Sequence, residues 1–134
     1  MIEKVLVDTD VVSFLFKRDT RANLYYPHVA ENLTVVSFMT IAELDRWGLE
    51  RSWGPARRRK LEEFLQKYVV SYCDRALCFK WAAAVYGARL RGRPIRTADA
   101  WIAATALLHG IPLVTHNRKH YEGVAGLRII SEMV

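Results

Sequence analysis

Residues Lys4–Asp10 read Lys-Val-Leu-Val-Asp-Thr-Asp, and this stretch decides the architecture of the chain. Val5-Leu6-Val7 is a short apolar run rich in β-branched residues, which is typical of a strand buried on both faces of a parallel sheet. The run ends in two carboxylates, Asp8 and Asp10. Because ligands bind beyond the carboxyl ends of strands in an open α/β sheet, this arrangement predicts a metal or phosphate site. A structural interpretation is also open, since aspartate is a favoured N-terminal cap of a helix.

The composition indicates one folded domain spanning residues 1–134. The chain has 134 residues, of which 51% are hydrophobic, enough for a core in a domain of ordinary size. No apolar run approaches the roughly 18 residues that a membrane span requires. No apolar signal segment precedes the first strand, so we expect a cytoplasmic location and no membrane association. Cys73 and Cys78 lie among apolar residues without metal-ligand spacing, and we expect buried thiols rather than a disulfide.

The charge is strongly basic, with 20 Lys and Arg against 14 Asp and Glu and a formal net charge of +6. A small protein this basic often binds a polyanion, most commonly nucleic acid. One cluster, Arg57–Lys60, falls in the first turn of a predicted helix. Cations there oppose the helix dipole, which favours a role in binding a partner over a role in the helix itself. A second cluster, within Arg89–Arg96, surrounds Gly92 and Pro94 and is either a solvated loop or a phosphate contact.

Strand and helix signals alternate to the end of the chain, which predicts βαβ units and a parallel sheet. After the first strand, further strands are predicted at residues 33–38, 69–72, 112–115 and 127–130. Helices are predicted at residues 11–17, 20–32 with an interruption at Pro27, 40 to about 54, 57 onward, 75–90 and 98–109. Thr40-Ile-Ala-Glu43 fits a capping box, which would open the third helix.

Polar groups follow the predicted strands or open the predicted helices at four places: Asp8 with Asp10, Glu43, Asp99, and the segment Thr115–His120. In a parallel sheet these ends lie along one edge. Three carboxylates meeting there would repel one another unless a cation binds, and oxygen ligands suit Mg²⁺ or Mn²⁺ better than Zn²⁺. Each acid also has a structural alternative, because Glu43 would complete the capping box and Asp99 would favour a helix N-terminus.

Four motifs in this order resemble those of PIN-domain ribonucleases of the VapC type, the toxins of bacterial and archaeal toxin–antitoxin pairs. They are Val5–Asp10, Ser37–Leu44, Thr97–Ala106 and Leu113–Asn117. The resemblance covers the whole chain. It implies a three-layer α/β/α PIN-like domain around a short parallel sheet with strand order 3-2-1-4-5.

The resemblance also implies a mechanism, metal-assisted hydrolysis of RNA phosphodiester bonds by Mg²⁺ or Mn²⁺. Asp8, Glu43 and Asp99 would hold the ion. The implied supporting residues are Asp10, Thr40 and Thr115. Asn117 completes the catalytic set but stands where many family members carry an acid. Because an amide cannot neutralise charge, we expect one tightly held ion and a weak second one.

The implied partners are RNA, a VapB-like antitoxin and a second copy of the chain. The cations expected to hold the RNA backbone are Arg57, Arg58, Arg59, Lys60, Arg91, Arg93 and Arg96. Trp47 and Trp53, if exposed, would contribute to an antitoxin groove, because aromatic residues often anchor interfaces. Packing of both tryptophans in the core is the alternative.

Three other interpretations of the sequence remain open. The domain could bind RNA or a partner without cutting it, because the fourth acid is absent. Asp8-Thr9-Asp10 also matches the first motif of haloacid dehalogenase-type phosphatases, although their later Gly-Asp motif is missing. His116 and His120 have the spacing of two Zn²⁺ ligands on one helix face, but no third ligand accompanies them.

Overall fold

The computed structural model of the protein describes residues 3–133, and its centre is one five-stranded sheet in the order β3-β2-β1-β4-β5. All strand pairs are parallel. This confirms the predicted sheet and its strand order. The strands are β1 (Lys4–Val7), β2 (Leu33–Ser37), β3 (Val69–Ser71), β4 (Leu113–Val114) and β5 (Ile129–Ile130).

Six α-helices connect the described strands, and a short 3₁₀ helix at Arg118–Tyr121 follows β4. The α-helices are α1 (Thr9–Lys17), α2 (Ala22–Val29), α3 (Phe38–Glu50), α4 (Pro55–Leu65), α5 (Arg75–Leu90) and α6 (Thr97–His109). The predicted bounds of α5 agree with the structure. The predicted interruption at Pro27 is wrong, because α2 continues through it while the fully buried Tyr25 anchors the helix to the core.

The start of α3 differs from the capping-box prediction. Ser37, the last residue of β2, caps the helix, and its hydroxyl accepts a hydrogen bond from Met39 N at 3.0 Å. Thr40 therefore lies inside the first turn, and Glu43 lies in the second. Because Ser37 supplies the side-chain cap and Glu43 lies beyond the first turn, the carboxylate of Glu43 is available for another role.

Alternation along β1 divides the core into two layers, one on each face of the sheet. Val5 and Val7 pack with residues of α1, α2 and α4, whereas Leu6 packs with residues of α5 and α6. All three side chains are at most 1% exposed. The central strand is therefore covered on both faces, as its continuous apolar run predicted, and the carboxyl end of this rigid strand is the position of Asp8.

The two cysteines are less buried than expected. Cys73 is exposed and Cys78 is half-buried, both as free thiols, with their Sγ atoms 3.8 Å apart. The prediction of buried thiols was wrong because β3 ends at Ser71, and the chain has left the sheet before α5 begins. Within residues 3–133, no helix combines the length and the apolar character needed to cross a bilayer.

Candidate active site

Asp8 lies at the carboxyl end of β1 and is held by hydrogen bonds from three parts of the chain. Its Oδ1 accepts from the backbone N–H of Thr9 at 2.8 Å. Its Oδ2 accepts from Thr115 Oγ1 at 2.7 Å and from the Tyr121 hydroxyl at 2.9 Å. The side chain is thereby fixed in one orientation in a buried position.

This environment opposes the charged form of Asp8. Burial raises the pKa of Asp8 to about 8, and the nearby carboxyl of Asp10 adds to the rise. The hydrogen bonds from Thr115 and Tyr121 act in the opposite direction but do not cancel the effect. A bound cation would reverse the balance, since an opposite charge nearby favours the ionised carboxylate.

Asp99 lies in the first turn of α6 and is also buried. Its Oδ2 accepts from Arg96 Nε at 3.1 Å and lies 3.5 Å from His120 Nδ1. Its Oδ1 lies 3.4 Å from the Tyr121 hydroxyl, the group that donates to Asp8. The Tyr121 hydroxyl therefore links two buried carboxylates, Asp8 and Asp99, that are 91 residues apart in the chain.

Glu43 reaches the same edge of the sheet from α3. Its Oε1 accepts from Thr9 Oγ1 at 2.7 Å, and that hydroxyl lies 2.9 Å from Thr40 Oγ1. Thr9 therefore contacts both acids, because its backbone N–H donates to Asp8 and its hydroxyl donates to Glu43. Thr40, predicted as a supporting residue, is connected to Glu43 through the Thr9 hydroxyl.

Asp10 and Asn117 form a separate pair beside these acids. Asp10 Oδ2 accepts from Asn117 Nδ2 at 2.8 Å and from the backbone N–H of His116 at 3.0 Å. Burial raises the pKa of Asp10. Asn117 itself is exposed, and its amide fixes Asp10 at the rim of the site.

The donor set fits a hard divalent cation. Asp8, Asp99 and Glu43 offer oxygen atoms only, and Mg²⁺ binds through one or two carboxylates while keeping several waters. As placed, no three acids, histidines or cysteines within residues 3–133 are close enough together to ligate one ion directly. Asp8 and Asp99, which share the Tyr121 hydroxyl, and Glu43 are the carboxylates at this edge that could hold such an ion. His116 and His120 have different partners, since His116 Nδ1 contacts the Tyr25 hydroxyl and His120 Nδ1 lies 3.5 Å from Asp99 Oδ2.

Comparison with known proteins identifies the family of this parallel-sheet fold. The family model for the PIN domain matches residues 5–126. The chain belongs to the PIN-domain family. This PIN domain is 34% identical to the VapC ribonuclease Y4jK of Sinorhizobium fredii, over 95% of this chain and 96% of the relative. The resemblance to VapC-type members that the four motifs predicted is confirmed.

Solved structures share the fold of this PIN domain. VapBC2 from Rickettsia felis, bound to a promoter DNA fragment, matches with a TM-score of 0.80 and 21% identity, over 96% of this chain and 98% of that one. A toxin–antitoxin complex from Klebsiella pneumoniae matches with a TM-score of 0.78 and 19% identity, over 97% and 99%. At these identities the likeness establishes the three-layer fold.

The predicted cations of this PIN domain occupy different places. Arg96 reaches the site and contacts Asp99. Arg93 pairs with Glu122 at 2.6 Å, and Arg91 Nη1 donates to the Gly123 carbonyl at 3.2 Å. Arg91 and Arg93 therefore brace the loop after α5 against the segment that follows the 3₁₀ helix.

The cluster Arg57–Lys60 lies on α4, which begins at Pro55, so these cations start at the third helical position rather than the first. The Arg57 guanidinium stacks over Trp53, 4.6 Å from the ring centroid. Trp53 and Trp47 are half-buried and pack against the core, so their predicted exposure is only partial. Arg57 and Lys60 line the surface between α1 and α4, whereas Arg58 and Arg59 line the surface between α3 and α4.

Tyr121 and Thr9 are the site residues that the sequence analysis missed. Thr9 lay inside the first motif, but a threonine between two aspartates carries no signal of its own contacts. Tyr121 comes after the predicted polar segment that ends at His120, and no periodic apolar pattern around it predicts a buried position. Its ring is fully buried, and only the folded chain brings its hydroxyl to Asp8.

Proposed function

We propose that this PIN domain is a Mg²⁺- or Mn²⁺-dependent endoribonuclease of the VapC type, the toxin component of a type II toxin–antitoxin system in the cytoplasm. The observation that carries the proposal is the pair of buried carboxylates, Asp8 and Asp99, linked through one hydroxyl at the carboxyl edge of the sheet. The name of the Sinorhizobium relative, a VapC ribonuclease, supports the choice of RNA as substrate.

Asp8 and Asp99 would hold the ion, with Glu43 acting through water. When bound, the ion polarises the scissile phosphate and lowers the pKa of the attacking water. Thr115 orients Asp8, and Thr9 and Thr40 orient Glu43. The chain thereby holds its acids in place before the substrate arrives, which reduces the reorganisation needed during the reaction.

Arg96 would contact the RNA at the reacting phosphate. Its side chain is 73% exposed, and its guanidinium lies next to Asp99. Exposed Arg118 and Lys119 on the 3₁₀ helix extend the positive charge along the rim of the site. Such phosphate contacts set affinity and register rather than base choice. Asn117 would act beside the ion by holding Asp10.

The surface between α1 and α4 suits an acidic, amphipathic partner segment. A groove of about 770 Å³ is lined there by the apolar Leu15, Phe16 and Phe64 and by the cations Lys17, Arg18, Arg57, Lys60 and Lys67. An acidic helix with one apolar face complements both features. A VapB-like antitoxin is the proposed occupant, in keeping with the toxin–antitoxin complexes among the structural neighbours, and a homodimer is proposed for the toxin itself.

Cleavage of RNA by the purified protein tests the function. We expect cleavage with Mg²⁺ or Mn²⁺, none with EDTA, and a loss of at least about 100-fold for Asp8→Asn or Asp99→Asn, because each removes a ligand charge. Asp45→Asn changes an exposed acid on α3 and serves as the matched control. Full activity of Asp8→Asn, or activity in EDTA, would contradict the proposal.

The same assay separates the remaining alternatives, which the family match does not favour. RNA binding that is unaffected by EDTA, without any cleavage, would indicate a non-catalytic RNA- or partner-binding domain. Hydrolysis of small phosphomonoesters that depends on Asp8 would indicate a phosphatase of the haloacid dehalogenase type.

A further inference from the structure

Tyr121 is the one residue whose side chain lies between the two buried acids in the part of the chain that the structure describes. Its ring is fully buried, and its hydroxyl donates to Asp8 Oδ2 at 2.9 Å and lies 3.4 Å from Asp99 Oδ1. A phenylalanine would fill the same space in the core. The hydroxyl therefore has a role that packing does not explain, and its only hydrogen-bond partners in that part of the chain are these two carboxylates.

The hydrogen bonds of Asp8 show what the hydroxyl does. Oδ2 accepts two bonds, from Thr115 and Tyr121, and these occupy both of its lone pairs. Oδ1 accepts only the backbone N–H of Thr9 and keeps one lone pair free. The two donors on Oδ2 thus decide which oxygen of Asp8 stays available to a cation.

We propose that Tyr121 is a positioning residue, whose hydroxyl holds Asp8 Oδ2 and sets the spacing of Asp8 and Asp99 so that Asp8 Oδ1 and the Asp99 carboxylate are available to one divalent cation. This inference rests on the proposed metal site. With an ion bound, the hydroxyl would keep its bond to Asp8 Oδ2, because Asp8 Oδ1 still offers a lone pair. Tyr121 thus acts on the ion through Asp8.

The variant Tyr121→Phe removes the hydroxyl and keeps the ring. We expect its affinity for Mg²⁺ alone, measured by calorimetry without RNA, to fall about 10- to 100-fold, the usual effect of losing a partner that orients a metal ligand. Saturating Mn²⁺ should restore most of the RNA cleavage, because the ligands themselves remain. Tyr68→Phe is the matched control, since Tyr68 is also buried but makes no side-chain hydrogen bond within residues 3–133.

Three results would overturn the assignment of Tyr121. Unchanged Mg²⁺ affinity would limit the hydroxyl to packing, and tighter binding would mean that it occupies the place of the cation. A variant that does not fold with or without the ion would make the hydroxyl a structural requirement. Asp8→Asn in the same titration separates this inference from the proposed function: if Asp8→Asn also leaves Mg²⁺ binding unchanged, the metal site itself is wrong.

Discussion

A buried carboxyl at the end of a central strand makes the stability of this protein depend on pH. The pKa of Asp8 is about 8 in the fold against an ordinary value of 3.8. Between these values the unfolded chain has released the proton that the folded chain still binds. Because stability rises with pH only where the unfolded state binds more protons, Asp8 lowers stability progressively from about pH 4 to pH 8.

The variant Asp8→Asn should remove this pH dependence in the metal-free protein. An amide does not titrate, so the stability of the variant relative to the unaltered protein should increase from pH 4 to pH 8. A difference of one pH unit between the folded and unfolded pKa values of a group corresponds to about 1.4 kcal/mol in the free energy of unfolding. Urea unfolding in EDTA at a series of pH values measures the trend. If the difference in unfolding free energy between the variant and the unaltered protein stays constant from pH 4 to pH 8, the burial of Asp8 does not destabilise the fold.

Asn117 offers a second test of charge at the site. Asn117→Asp replaces the amide that donates to Asp10 at 2.8 Å with a second carboxylate. Without metal, we expect a loss of about 1–3 kcal/mol, because a hydrogen bond is replaced by repulsion. With Mg²⁺, the added charge should raise ion affinity and increase thermal stabilisation. The exposed Asn23→Asp is the control, and a variant whose melting temperature responds to Mg²⁺ as that control does would contradict the argument.

At the scale of elements, the site depends on a close contact between two segments far apart in the chain. A Cβ placed on Gly123 would lie 2.5 Å from the Arg93 carbonyl oxygen and 2.9 Å from Arg93 Cβ. The loop after α5 leads to Arg96 and Asp99, and Gly123 follows Tyr121 by two residues. The absence of a side chain at Gly123 therefore keeps Asp99 near the Tyr121 hydroxyl.

Gly123→Ala should push these two segments apart. We expect a loss of about 1–3 kcal/mol in stability, typical of overpacking, and a weaker affinity for Mg²⁺. Gly54→Ala is the matched control, because a Cβ there meets open space. Equal effects of the two substitutions in thermal unfolding would show that the Arg93 contact does not matter.

The α4 cations can be assigned by the salt dependence of RNA binding. Replacing Arg57, Arg58 and Arg59 with alanine should weaken binding and reduce the log–log salt slope by about 0.7 for each lost phosphate contact on a single strand. A catalytically inactive Asp99→Asn background prevents cleavage during the titration. An unchanged slope would show the predicted RNA contact to be wrong.

The elements show which features a sequence can reveal. The apolar run of β1 and the acids that follow it predicted the sheet and the edge where the site lies, because burial and strand direction are local signals. The cap of α3 was misplaced by three residues, since Ser37 and Thr40 are equally good caps until the end of β2 is known. Tyr121 could not be found, because its role depends on contacts with a strand over a hundred residues away.

At the scale of the molecule, we propose that residues 3–133 unfold as one unit. The two apolar layers share β1, so neither can lose its packing while the other keeps the strand. The fluorescence of Trp47 and Trp53 reports on one layer. Trp81 stacks on Trp101 of α6, with ring centroids 5.1 Å apart, and this pair lies next to the other layer. Fluorescence and far-UV circular dichroism should give coincident urea transitions. Two separate transitions would mean that the layers are independent.

The strand order also governs when the site can form during synthesis. Asp8 leaves the ribosome early, yet two of its hydrogen-bond donors, Thr115 and Tyr121, follow 107 and 113 residues later. At roughly 5–20 residues per second, the nascent chain spends many seconds with its acids apart, because β1 has no β4 to pair with. The carboxylates of Asp8 and Asp99 therefore come together only when translation of the domain is nearly complete.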